Sequence, residues 1–201
     1  MLWAQLQTPS WSNSQLLYSK QATEITGHIV AHLNISATPD PSLAEKGTEK
    51  DIDIFLTLRH LAPSGKEIYY TSTAGDPVPL TKGWLRVSLR KIAEDHPKNR
   101  PYLPRREYVS TDVQPVLPDS VYRVDAEIWP TNVVIEKGGK IVSEVSSGDT
   151  QGNEIFSHDS EIDRSRRRFA GVKSTYLFRG GVGELCYFAD HSAEMIEYRY
   201  A

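Results

Sequence analysis

Apolar and polar side chains alternate with a period of two through most of this chain, which places them on opposite faces of strands buried on one side. Over residues 24–38, Ile25, Ile29, Ala31, Leu33 and Ile35 share one parity and His28, His32 and Asn34 the other, with Val30 alone breaking the pattern. Residues 51–61 repeat it: Ile52, Ile54, Leu56 and Leu58 face one way, Asp51, Asp53, Thr57 and Arg59 the other. Between 83 and 91 the order predicts a strand with Leu85, Val87 and Leu89 inward and Arg86 and Arg90 outward. Residues 121–129 set Tyr122, Val124, Ala126 and Ile128 against Arg123, Asp125 and Glu127.

The breakers divide these strands. Pro130 lacks a backbone donor and is expected to end the pairing of the strand before it. Residues 132–136 and 140–146 read as a hairpin turned by Lys137, Gly138 and Gly139. Residues 39–50 and 92–105, polar and holding Pro or like charges, read as surface loops, and 163–168, with four arginines, as a solvated loop rather than an anion site. Strands separated by turns, without strong helices between them, predict an all-β sandwich rather than a βαβ fold.

Size adds one domain: 201 residues can bury a large core without disulfide or metal. A formal net charge of -3 supplies no basic field for phosphate, so neither nucleic acid nor an anionic membrane is expected as partner. The single cysteine, Cys186, excludes an intrachain disulfide, a cysteine zinc cluster and a C-x-x-C redox pair. No apolar run approaches the roughly 20 residues of a membrane span, and residues 1–14 lack the basic start and apolar core of a secretory signal. A cytoplasmic location is the expectation.

Candidate chemistry is sparse. No G-x-S-x-G turn presents a nucleophile, no P-loop cradles phosphate, and Gly180, Gly181 and Gly183 read as a turn. His28 and His32 share a face but want a third ligand, so two polar residues on a solvent face are preferred to a metal site. Asp51 and Asp53, at i and i+2, could gather calcium; capping backbone donors is the favoured reading. Consecutive His158, Asp159 and Ser160 cannot adopt triad geometry. Asn34, Ile35 and Ser36 fit a glycosylation acceptor but fall mid-strand. No cofactor and no metal is expected.

The words Asp51-Ile-Asp53-Ile-Phe55, Lys82-Gly83-Trp84-Leu85-Arg86-Val87-Ser88-Leu89-Arg90 and Val124-Asp125-Ala126-Glu127-Ile128-Trp129-Pro130-Thr131, then Ser146-Ser147-Gly148-Asp149-Thr150, stand in an informative order. Together they resemble the C-terminal, non-catalytic domain of the X-Pro dipeptidyl-peptidase and cocaine-esterase-like (CocE/NonD) serine hydrolases. The resemblance implies a jelly-roll β-sandwich of the galactose-binding-domain-like kind over 24–172, after a lead-in of residues 1–23 and before a divergent segment, 173–201. It further implies a module that packs on an α/β-hydrolase domain carrying the Ser-His-Asp triad and helps shape its substrate cleft. The parent activity would be dipeptidyl-peptidase or acyl-ester hydrolysis, and no triad residue maps onto this chain, which is expected to be inactive alone.

Trp84 and Trp129, with Arg86 and Arg90 as a polar rim, are the expected partner-binding residues, since arginine and aromatics are enriched where surfaces dock. Deprived of a hydrolase domain, the same surface would favour self-association. Two other readings are a free-standing carbohydrate-binding module using Trp84 or Trp129, and an enzyme built from Asp51, Asp53, Asp149 and His158.

Overall fold

The computed structural model describes residues 17–39, 51–146 and 148, with strand backbone also at 172–178, 186–188 and 194–196. Its strands are β1 (Leu17–Tyr18), β2 (Thr23–Pro39), β3 (Asp53–Leu61), β4 (Glu67–Ile68), β5 (Tyr70–Thr71), β6 (Pro77–Val78) and β7 (Thr81–Arg86). Then follow β8 (Val121–Ile135), β9 (Lys140–Ser146), β10 (Val172–Phe178), β11 (Cys186–Phe188) and β12 (Glu194–Ile196). Two sheets result. The larger runs β1-β9-β3-β4, with β12 on β9 and β7 on β3; the smaller runs β11-β10-β2-β8; β5 and β6 form a separate ribbon.

The inward parities of the two sheets meet in one core. Leu33 and Ile35 from β2 and Val124 and Ile128 from β8 pack with Ile54, Leu56 and Leu58 from β3. Each of these is under 2% or at most 2% exposed, and fully burying one such side chain is worth about 1.5–3 kcal/mol. The fold is thus an all-β sandwich, as the period-two pattern predicts.

Four local expectations are corrected. First, the strand beginning at Thr81 stops at Arg86, and Val87–Leu89 wind into a 3-10 turn. Leu85 and Val87 are buried at 4% and 0%, but the turn carries Leu89 to an only half-buried position. Asp51 explains the stop: its carboxylate accepts from the Ser88 amide (3.1 Å) and hydroxyl (2.6 Å), holding the chain at Ser88 out of the ladder.

Second, Pro130 does not end β8. Gly27 pairs with Thr131 and Ile29 with Ile128, so His28 alone faces Trp129 and Pro130 across a bulge. The bulge absorbs the residue that cannot donate. Gly27 meets it at φ +112°, a backbone state that other residues avoid.

Third, 132–136 and 140–146 are not a hairpin. The turn at Gly138 and Gly139 is present, with the Gly139 amide on the Glu136 carbonyl at 2.9 Å. It carries the chain from the smaller sheet to the larger, where β9 pairs with β3 rather than with β8.

Fourth, β3 is not one-sided. Its outward residues Asp53, Phe55, Thr57 and Arg59 are all buried. Arg59 is accommodated by Glu144 (Nε to Oε2, 2.7 Å) and Glu67 (Nη1 to Oε1, 2.8 Å). Burial works against its charge, but the two carboxylates outweigh that penalty and hold the guanidinium more firmly protonated than usual.

Candidate partner-docking site

Where β7 of one sheet passes β8 of the other, the backbones almost touch. A Cβ on Gly83 would lie 2.2 Å from the Glu127 carbonyl oxygen and 2.8 Å from the Ile128 Cα, so only glycine permits this crossing. Thr81 closes the same corner by donating its hydroxyl to the Trp129 carbonyl at 2.9 Å. The residue after the glycine and the first residue of the bulge are thereby brought together. Trp84 and Trp129, 40% and 61% exposed, face each other with ring centroids 5.3 Å apart and planes tilted by 45°. A tilted pair at this distance is a favourable aromatic geometry and still leaves much of both rings accessible.

The two arginines lie elsewhere in role. Arg86 follows Trp84 on the same face of β7 and is clamped bidentately to Asp53, Nε to Oδ1 at 2.8 Å and Nη2 to Oδ2 at 3.0 Å. About a quarter of its side chain remains accessible at the margin of the tryptophan pair. Arg90 sits past the 3-10 turn, where Nη1 donates to the carbonyls of Val87 (3.0 Å) and Gln114 (2.9 Å) and the guanidinium lies 4.1 Å above the Tyr122 ring. These contacts tie the turn to β8 and to residues 114–115 rather than to the tryptophans.

The remaining sequence candidates resolve into structural pairs. Asp51 caps the backbone amide of Ser88, the role expected of it, whereas Asp53 holds the Arg86 side chain and not a backbone donor. His32 Nδ1 lies 2.8 Å from Asp125 Oδ1, and His28 Nδ1 lies 3.5 Å from Glu127 Oε1, so each imidazole faces its own carboxylate on β8. Among the described residues no three His, Cys, Asp or Glu side chains gather as a metal site. Asp149, 158–160, 163–168 and 180–183 lie outside the described residues, as do 40–50 and the side chain of Cys186.

Arg106 was not legible in advance. It is 6% exposed and donates Nη2 to the Asp125 carbonyl at 2.6 Å, with burial weakening its hold on the proton. Tyr102, its ring 6.0 Å from His28, approaches the same outward face of β2 and β8. The loop carrying both residues therefore lies along this face, where Val30, the one residue that broke the alternation, is buried at 6%.

Residues 19–181 match the family model of the X-Pro dipeptidyl-peptidase C-terminal non-catalytic domain. The chain belongs to this family. Two proteins named "Putative serine esterase", from Mycobacterium bovis and Mycobacterium tuberculosis, are each 26% identical to it over 126 residues, 63% of this chain. The aligned part is 17% of either mycobacterial protein, so the module occupies only a fraction of the relatives it matches. Two crystal structures of a CocE/NonD family hydrolase from Staphylococcus aureus share the fold. One superposes with TM-score 0.63 at 19% identity over 80% of this chain and 27% of the other. The second gives 0.61 at 17% identity over 86% and 29%. The two structural likenesses bear on the fold, and the family match identifies the sandwich as an X-Pro dipeptidyl-peptidase C-terminal non-catalytic domain. Among the described residues no helix is long and apolar enough to cross a membrane.

Proposed function

We propose that this jelly-roll, galactose-binding-like module packs on the α/β-hydrolase domain of an X-Pro dipeptidyl-peptidase or acyl-esterase and helps shape its substrate cleft, with no chemistry of its own. The family match over 19–181 carries the reading. The chemistry of the described residues supports it, because Asp51 and Asp53, offered above to an enzyme site, are both committed to structural hydrogen bonds. The docking surface is the corner holding Trp84 and Trp129, with Arg86 at its margin and Arg90 bracing the turn behind it. Exposed aromatics beside an arginine are the side chains that contribute most when a surface is desolvated against a partner. The 45° tilt argues against the carbohydrate reading, since the rings offer no single flat platform to a sugar.

The test mixes the purified 201-residue chain with an α/β-hydrolase domain of the family from which its own jelly roll has been deleted. Co-elution as a stoichiometric complex is expected, and Trp129→Ser should weaken it at least about tenfold, the mark of an aromatic hot spot. A fluorophosphonate probe should label the hydrolase domain and leave the chain unlabelled. Stoichiometric labelling of a serine in the chain would overturn the non-catalytic reading. Binding that survives Trp129→Ser and Trp84→Ser unchanged would place the interface on another face.

A further inference from the structure

One buried titratable group serves none of this. His60 is 4% exposed and falls on the inward parity of β3, after Leu56 and Leu58. Its Nδ1 lies 2.8 Å from the Tyr70 hydroxyl, and the two rings stack with centroids 6.3 Å apart and planes 23° from parallel. Its Nε2 is buried and has no hydrogen-bond partner among the described residues. Tyr70 belongs to the arm 62–80, which leaves the sandwich after β3 and returns as β7. β4 ties this arm to β3 through two residue pairs, His60 with Ile68 and Leu61 with Glu67. Among the described residues the β5–β6 ribbon pairs with itself alone, Tyr70 with Val78 and Thr71 with Pro77. Tyr70 and Leu80 pack their side chains on the core, and the Tyr70–His60 hydrogen bond joins the ribbon to the larger sheet.

A neutral imidazole fits this arrangement as the Nδ1–H tautomer, which donates to the Tyr70 oxygen and leaves Nε2 a bare lone pair with no proton to place. An imidazolium cannot. Both ring nitrogens then carry a proton, the Tyr70 oxygen accepts at most one of them, and Nε2–H is left buried without an acceptor. Surrounding groups offer little relief. On β4, Ile68 is opposite His60 and Glu67 is committed to Arg59. On β9, Ile141 is opposite, Ser143 on the inward parity offers a buried hydroxyl that also has no partner among the described residues, and Glu144 is held by Arg59. On β5 the neighbour is the Tyr70 phenol, whose own proton burial makes harder to lose. Glu136, at the end of β8, favours the charged ring, but burial outweighs it and lowers the His60 pKa.

We propose that His60 and Tyr70 form an acid-sensitive latch, which holds the 62–80 arm on the sandwich while the imidazole is neutral and releases it when the ring takes a second proton. The direction follows from linkage. Above the ordinary histidine value of about 6.5 the ring is neutral whether the arm is closed or open, and the latch is at full strength. As pH falls below that value the open form binds the proton first. The opening equilibrium then rises about tenfold per pH unit until the closed form also protonates.

Amide hydrogen exchange on the full chain, converted to protection factors between about pH 7.5 and 5, tests the latch. Protection over 67–80 is expected to fall about tenfold per unit below about pH 6.5, while amides of β2 and β8 hold theirs. His60→Gln should flatten that fall, and Tyr70→Phe, which keeps the ring and removes the hydroxyl, should lower arm protection already at pH 7.5. Arm protection that is constant with pH would overturn the latch. So would the same slope in His60→Gln, or an equal loss in β2 and β8, which would report global unfolding. If the His60 variant does not fold, the imidazole resonances of the natural chain decide: titration at or above the ordinary histidine value refutes the latch, and titration below it, coupled to the arm's resonances, supports it.

Discussion

A methyl group added at Gly83 would have to displace the backbone of the facing sheet, because the obstructing atoms are the Glu127 carbonyl oxygen and the Ile128 Cα. Backbone held in a sheet yields far less readily than the end of a side chain. Gly83→Ala is therefore expected to cost about 1–3 kcal/mol or more, seen as a lower urea midpoint with an unchanged slope. The same variant should spread Trp84 from Trp129 and alter tryptophan fluorescence in the folded state. At this scale the sequence shows residue types and conceals partners. The i, i+2 spacing of Asp51 and Asp53 suggested capping, yet nothing in it named Ser88 and Arg86 as the groups held. Arg106 carried no signal, since a lone arginine in a polar loop looks the same whether it lies on a carbonyl or in water.

Among elements, the segment around Leu85 separates two outcomes that a continuous strand would make equal. Leu85→Ala opens a cavity in the core and is expected to cost about 2–5 kcal/mol. Leu89→Ala, at a half-buried position on the 3-10 turn, should cost clearly less, and chemical denaturation of the two variants side by side checks the difference. Comparable losses would mean that Leu89 is packed like a core residue. Strand existence and inward parity were legible for β2, β3 and the first part of β8, because alternation is imposed directly by the pleat. Alternation does not say which sheet a strand joins. A Gly-Gly turn between 136 and 140 is equally compatible with a hairpin and with a step between layers, and the choice is made by β3, whose partners β7 and β9 lie far apart in sequence. Nor does it say whether the outward face is wet: Arg59 and Thr57 read as solvent-facing, and their burial depends on Glu67 and Glu144 arriving from β4 and β9.

For the molecule as a whole, the family was legible from several short words in a fixed order, and the sandwich from their alternation. The corner proposed for docking was legible only as two separate tryptophans. What joins them is the crossing of β7 and β8, and Gly83 gave no sign of its purpose until the facing carbonyl was seen. The pairing of β2 with β8 has a consequence in time. His32 and Asp125, neighbours across that ladder, are 93 residues apart in the chain, and Arg59 and Glu144 are 85 apart. A ribosome must therefore finish most of the module before its longest strand has anything to pair with. Until then β2 leaves the tunnel as an apolar, β-branched ribbon with both edges open, the form in which strands find wrong partners. Closing loops of this length before any reward favours refolding in milliseconds to seconds rather than microseconds, which stopped-flow dilution from urea will measure. Nascent chains stalled before residue 121 should accordingly be captured by chaperones, whereas chains stalled after both β8 and β9 have emerged should begin to resist protease.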